Sequence, residues 1–172
     1  MAAFWTIQTW EAWEHAQALG ELRGNPSRVP EGFQDPYRWM QRQMDKRLLT
    51  YHGGYPVWVW TEKPDLRQGG HLEHGKIGVR LQLELDPGMV LLSDFFAWHV
   101  VLNDGFLSVD EPDDEQLVEG VGPLLKEQSW ERIFDLELLH TSEWWGGSSI
   151  VQGVVEKVSV TQVIGVTKFT AR

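Results

Sequence analysis

Hydrophobic and polar residues alternate without a break from Ile77 to Asp86. Ile77, Val79, Leu81, Leu83 and Leu85 take one side, and Gly78, Arg80, Gln82, Glu84 and Asp86 the other. A period of two belongs to a strand with one face buried, and Asp86-Pro87-Gly88 supplies a turn at its end. The chain then runs apolar from Met89 to Leu92 and meets Ser93-Asp94, a helix-start signal. Phe95, Trp98, His99 and Leu102 follow at i, i+3, i+4 and i+7. That spacing predicts one face of a helix, which Asn103-Asp104-Gly105 stops. The rest of the chain is expected to pack around this stretch.

Other segments carry similar signals. Phe4–Gln8 predicts a short strand with Trp5 and Ile7 on one side. Thr9 is a good N-cap, because its hydroxyl accepts from the free N–H groups of a first helical turn. Trp10, Trp13 and Ala16 share the face of the helix it would start, and Gly20 ends it. Residues 23–34 are polar and rich in Gly and Pro, hence a loop. Asp35-Pro36 opens a second helix whose apolar stripe is Tyr37, Met40, Met44 and Leu48, with Trp39 off it. Residues 55–61 predict a strand with Val57 and Val59 on one face and Trp58 and Trp60 on the other.

Beyond Asp110 a weakly helical acidic segment is broken at Gly120, Gly122 and Pro123. Ser129 is a candidate cap for a helix holding Trp130, Ile133 and Phe134. Residues 141–149 predict a loop, and residues 150–160 and 162–169 predict two closing strands. Early helices and late strands predict an α+β protein, one domain over residues 1–172. Its sheet is mixed, mainly antiparallel and flanked by helices, either as one sheet or as two small sheets around a cleft.

Composition changes this picture little. The 172 residues are 42% hydrophobic and 23% charged, which are globular values. The ten tryptophans stand out: each removes about 150–250 Å² from water when buried, so most belong in a core and the remainder suit a cleft or an interface. Without cysteine there is no disulfide scaffold, cysteine nucleophile or cysteine-ligated metal. No basic segment precedes an apolar run at the N-terminus, and no apolar stretch approaches the length of a membrane span, so a cytoplasmic protein without membrane contact is expected.

The net charge of −10 is localised. Residues 110–143 hold eleven acids against Lys126 and Arg132, whereas residues 36–50 hold Arg38, Arg42, Lys46 and Arg47 against Asp45. The first stretch predicts a solvated face. The second is a candidate for local contact with nucleic acid.

Candidate chemistry is sparse. P-loop, Gly-x-Ser-x-Gly and dinucleotide glycine motifs are absent. His71-Leu72-Glu73-His74 offers metal-ligand types but sits in a glycine-flanked loop, so no metal is expected. His99 has the chemistry of a general acid or base, or of a satisfied, partly buried imidazole. Gln8 and Gln152 stand in apolar strands, where an amide without partners costs about 1–3 kcal/mol, so each is expected to bond backbone or ligand.

Trp5-Thr6-Ile7-Gln8, Tyr37-Arg38-Trp39-Met40, Pro56-Val57-Trp58-Val59-Trp60, Lys63-Pro64-Asp65-Leu66-Arg67, Leu92-Ser93-Asp94-Phe95, Trp98-His99 and Leu102-Asn103 together resemble a family of small bacterial proteins of unknown function. In architecture the chain also resembles compact ADP-ribosyltransferases. That resemblance implies NAD held as substrate in a Trp-lined cleft and a small-molecule or macromolecular acceptor. Gln8, Gln152, Glu156 and His99 would do the catalytic work, and Thr6, Trp58, Trp60, Arg67 and Trp98 would bind the cofactor. The first strand lacks the histidine or arginine of those enzymes, which leaves a non-catalytic ligand- or protein-binding module with a Trp-rich surface as the alternative.

Overall fold

A computed structural model describes residues 1–146 and 150–172. Its strands are β1 (Ala2–Thr9), β2 (Glu21–Arg23), β3 (Val57–Trp60), β4 (Ile77–Leu85), β5 (Leu91–Asp94), β6 (Val151–Val155), β7 (Lys157–Ser159) and β8 (Val163–Thr170). Its helices are α1 (Trp10–Leu19), α2 (Gln34–Arg47), α3 (Phe95–Leu102), α4 (Glu111–Glu119), α5 (Pro123–Trp130) and α6 (Leu136–Thr141). Six strands form a mainly antiparallel sheet in the order β5-β6-β3-β1-β4-β8, and β2 pairs with β7 in a second, two-stranded sheet. The class is α+β, with one large sheet and one small. No helix among the described residues is long and apolar enough to cross a membrane. The chain divides into two compact units, residues 1–91 with 153–172, and residues 92–152.

The first unit is built on β4. Its alternation delivers Val79, Leu81, Leu83 and Leu85 to the interior at no more than 1% exposure, while Ile77 at its start stays half exposed. Each such side chain contributes about 1.5–3 kcal/mol on burial. Strand β4 pairs with β1 from Ala2↔Leu85 to Thr9↔Gly78, and with β8 on its other side. Thr9 caps α1 through its side chain, which accepts from the N–H of Ala12, and Gly20 closes the helix at φ 83°, a left-handed conformation that favours glycine.

Strand β2 has no counterpart among the expected elements, and only its last residue, Arg23, falls in the expected loop over residues 23–34. It exists because Leu22 faces Val158 of β7, and both are buried. On α2 the buried set is Pro36, Trp39, Met40, Gln43 and Met44. The true stripe is therefore turned from the expected one. It takes in Trp39 and leaves Tyr37 and Leu48 half-buried.

In the second unit Asp94 caps α3 by accepting from Ala97 N–H at 2.8 Å. The helix buries Ala97, Trp98 and Val101, so His99 falls on the outer side. Helices α4 and α5 separate at Gly120, as the glycine break predicts. Ser129 starts no helix. It is buried in the last turn of α5, where it accepts from Leu107 N–H and donates to the carbonyl of Lys126. The expected loop over residues 141–149 lies partly outside the described residues, as does its Gly147.

Candidate functional site

The first unit contains a cavity of about 610 Å³. One wall is the face of α1 that carries Ala12, His15, Ala16 and Leu19 at i, i+3, i+4 and i+7, the turn-by-turn spacing that puts them together. The end of β1 contributes Ile7 and Gln8, and the loop after β2 contributes Asn25, Arg28 and Val29. Three aromatic residues also line the cavity, Tyr37 of α2, Tyr55, and Trp58 of β3.

The aromatic wall is held by specific contacts. Tyr37 and Tyr55 stack with centroids 6.4 Å apart and planes at 24°. Trp58 meets Tyr37 edge-on at 6.2 Å, and its indole N–H donates to the Tyr37 hydroxyl at 3.1 Å. Burial pushes the Tyr37 phenol above its usual pKa, partly offset by the Trp58 hydrogen bond.

Behind the wall runs a hydrogen-bonded chain. The Gln8 amide donates to the Thr6 hydroxyl at 2.9 Å, and the fully buried Thr6 hydroxyl donates to the Trp58 carbonyl at 2.8 Å. Successive even-numbered residues of β1 point the same way, which is why Thr6 supports Gln8. Thr6 is closed to a ligand and serves instead to orient the amide.

Charges around the cavity are partly neutralised. Glu21 is held below its usual pKa chiefly by Arg23, and Lys157 also pairs with it at 3.4 Å. Arg28 donates to the Thr9 hydroxyl at 3.0 Å. Arg28 and His15, together with Tyr37 and Tyr55 as wall residues, were not singled out from the sequence. The i,i+4 spacing of Glu11 and His15, both in the cavity lining, is the sequence signal that points to His15.

Of the residues expected to handle NAD, Gln8 and Trp58 line this cavity, while Trp60, Arg67 and Glu156 do not. Arg67 forms a two-pronged pair with Asp65 in an exposed turn, which lowers the Asp65 carboxyl. Glu156 is only 12% exposed and its carboxylate is occupied by the backbone of His52 and Gly54.

In the second unit Trp98 is 3% exposed, which closes it to stacking. His99 is exposed, with its Nδ1 2.8 Å from the Phe95 carbonyl oxygen and its ring against Phe95. Gln152 is buried with its side-chain nitrogen unpartnered, as are the hydroxyl of Ser93 and one oxygen of Asp94. Burial pushes the Asp94 carboxyl up against the lowering effect of the Ala97 and Phe96 N–H groups.

The basic residues of α2, Arg38, Arg42, Lys46 and Arg47, are exposed, with Arg38 paired to Asp35 and Arg47 bonded to Gln43. His71 of the His-Leu-Glu-His segment lies 2.9 Å from the Asp65 carbonyl oxygen. Among the described residues no three His, Asp or Glu side chains are grouped to hold a metal ion.

A family model described as a domain of unknown function, DUF3841, matches residues 3–121. No curated protein and no solved structure matches the chain.

Proposed function

The chain belongs to the DUF3841 family, and we propose that it binds a small molecule bearing a flat ring and an anionic group, with NAD the first candidate, and does not transform it. The observation that carries this reading is the Gln8 amide, fixed through Thr6 beside an aromatic wall in a cavity of about 610 Å³. That volume falls within the usual range for small-molecule sites, about 300–1,000 Å³. Tyr37, Tyr55 and Trp58 offer ring faces, Gln8 offers both a donor and an acceptor, and the Arg28 guanidinium suits a phosphate.

A binding role is favoured over ADP-ribosyl transfer by the position of Glu156. Its carboxylate accepts two backbone N–H groups away from the cavity lining, so it is not offered to a ribose there.

Saturation-transfer NMR with NAD tests the reading. Transfer to nicotinamide and adenine protons is expected in the wild type and is expected to weaken in Gln8→Ala and Arg28→Ala, each first checked for folding. No transfer at millimolar NAD rejects NAD as the ligand. Release of free nicotinamide during the same incubation rejects a purely binding role and restores transferase chemistry.

A further inference from the structure

Glu156 lies between β6 and β7, and its side chain reaches back about a hundred residues along the chain to the turn at 52–54. One carboxylate oxygen accepts from the N–H of His52 at 3.1 Å and the other from the N–H of Gly54 at 3.1 Å. The His52 ring, 80% exposed, adds a nitrogen 3.4 Å away. Gly53, between the two donors, has φ 102°, a conformation that favours glycine and turns both N–H groups to one side. Gly54 leaves no room for a side chain: a Cβ there would sit 2.7 Å from Cγ of Glu156. The outward side of the turn is tied as well, since the Gly54 carbonyl accepts from the Tyr51 hydroxyl at 2.8 Å and the Gln41 amide at 3.3 Å.

The next residue is Tyr55. Its ring stacks on Tyr37 and forms part of the aromatic wall. Its carbonyl, with that of Pro56, packs where a Cβ of Gly24 would lie. The position of Tyr55 in the wall is therefore coupled to the turn that immediately precedes it. We propose that Glu156 is a positioning residue, a carboxylate clasp on the 52–54 turn that fixes Tyr55 and so sets the ligand affinity of the cavity. This rests on the ligand-binding reading above. It gives this glutamate, at the bend between β6 and β7, a role that needs no contact with ligand.

The test measures three quantities in the full chain: amide exchange at His52 and Gly54, the nuclear Overhauser contact between the Tyr37 and Tyr55 rings, and NAD affinity by titration. In Glu156→Ala, exchange at both amides is expected to rise at least about tenfold while Val79 and Leu81 are unchanged. The ring contact is expected to be lost and NAD affinity to fall about tenfold, the size of one hydrogen bond. Glu156→Gln keeps a carbonyl oxygen as acceptor and is expected to recover part of all three.

Unchanged exchange in Glu156→Ala overturns the clasp. Faster exchange with the ring contact and affinity intact overturns its link to the cavity. If the wild type binds no NAD, NAD is rejected as the ligand, and exchange with the ring contact still decides the clasp. If Glu156→Ala does not fold, Gly54→Ala, which displaces the same carboxylate, is expected to show the same pattern; wild-type exchange there overturns the proposal.

Discussion

Replacing Thr6 with valine changes almost no volume and removes one hydroxyl from a site with no solvent exposure. The hydroxyl serves two bonds, donating to the Trp58 carbonyl at 2.8 Å and accepting from the Gln8 amide at 2.9 Å. The two losses differ in cost. Gln8 is half-buried and recovers part of its bonding from water. The Trp58 carbonyl loses the hydrogen bond that the fully buried Thr6 hydroxyl donates to it. Leaving a buried polar group short of a partner costs about 1–3 kcal/mol, so that is the expected loss in Thr6→Val. For a chain of 172 residues each kcal/mol moves Tm by about 2–4 °C.

The assay is urea unfolding of the wild type, Thr6→Val, Gln8→Ala and the double variant. Fluorescence and circular dichroism must report coincident transitions before a free energy is assigned. Gln8 is held through Thr6, so the double variant is expected to cost less than the two singles together, by about 0.5–1.5 kcal/mol. A Thr6→Val protein within about 0.5 kcal/mol of the wild type, the scatter of ordinary surface changes, refutes the reasoning. Strict additivity refutes the chain from Gln8 to Trp58 even if Thr6 itself proves important.

Three further outcomes are expected. Burial raises the Asp94 carboxyl above its unfolded value of 3.8, so its contribution to stability is full below that pH and lost as pH rises through the higher folded value. Asp94→Asn keeps a good cap and removes that loss; urea unfolding from pH 4 to 7 is expected to give a flatter curve than the wild type, and parallel curves reject the assignment. Asp113 moves the other way: burial raises it, but Arg132, at 2.7 and 3.1 Å, and the Val109 N–H outweigh burial and hold it low. Its stabilisation is present above 3.8 and lost as pH falls through the lower folded value. Arg132→Met is expected to cost about 2–3 kcal/mol at pH 7, below the usual value for a buried pair because Arg132 is 30% exposed, and to shallow the acid limb of the stability curve. Gly24→Ala places a Cβ 2.5 Å from the Tyr55 carbonyl oxygen; backbone must shift, at about 1–3 kcal/mol, and calorimetric titration is expected to show weaker NAD binding.

The elements that could be read from the sequence are those whose signals are local. The β4 alternation, the Thr9 and Asp94 caps and the Gly20 stop each depend on a few neighbouring residues, and each stands where the pattern puts it. What was misplaced depends on distant partners. Three residues, Glu21–Arg23, become a strand because β7 arrives beside them from the far end of the chain. Trp39 is buried because the face of α2 that packs inward includes Gln43, a polar residue whose amide bonds Arg47, so hydrophobicity alone located the stripe one position off. On α3 the expected face grouped Phe95, His99 and Leu102 with Trp98, whereas the buried residues are Ala97, Trp98 and Val101.

The site follows the same division. Gln8 and Trp58 could be picked out as a polar residue and a large aromatic in apolar strands. Arg28 lies in a loop with no period, and Glu156 gains its meaning only from an N–H pair that lies in the turn at 52–54.

Charge offers a further check on the cavity, because the whole chain and its parts predict opposite behaviour. The net charge of −10 argues against an anionic ligand. Residues 92–152, however, hold thirteen acids and two bases, a net of −11, which leaves the cavity-bearing unit at +1 with twelve acids and thirteen bases. At physiological ionic strength charges beyond about 8 Å are largely screened, so the groups lining the cavity set the sign. There the Glu21 carboxylate is already paired with Arg23 and Lys157, Glu11 adds a second carboxylate to the lining, and Arg28 donates to the neutral Thr9 hydroxyl. If the whole-chain charge dominated, added salt would screen repulsion and strengthen NAD binding. If Arg28 dominates, added salt weakens it, and Arg28→Ala lowers both the affinity and its salt slope. Titration of wild type and variant from 50 to 300 mM salt, roughly a halving of the Debye length, separates the two. Affinity that rises with salt in the wild type refutes Arg28 as the anion-binding group.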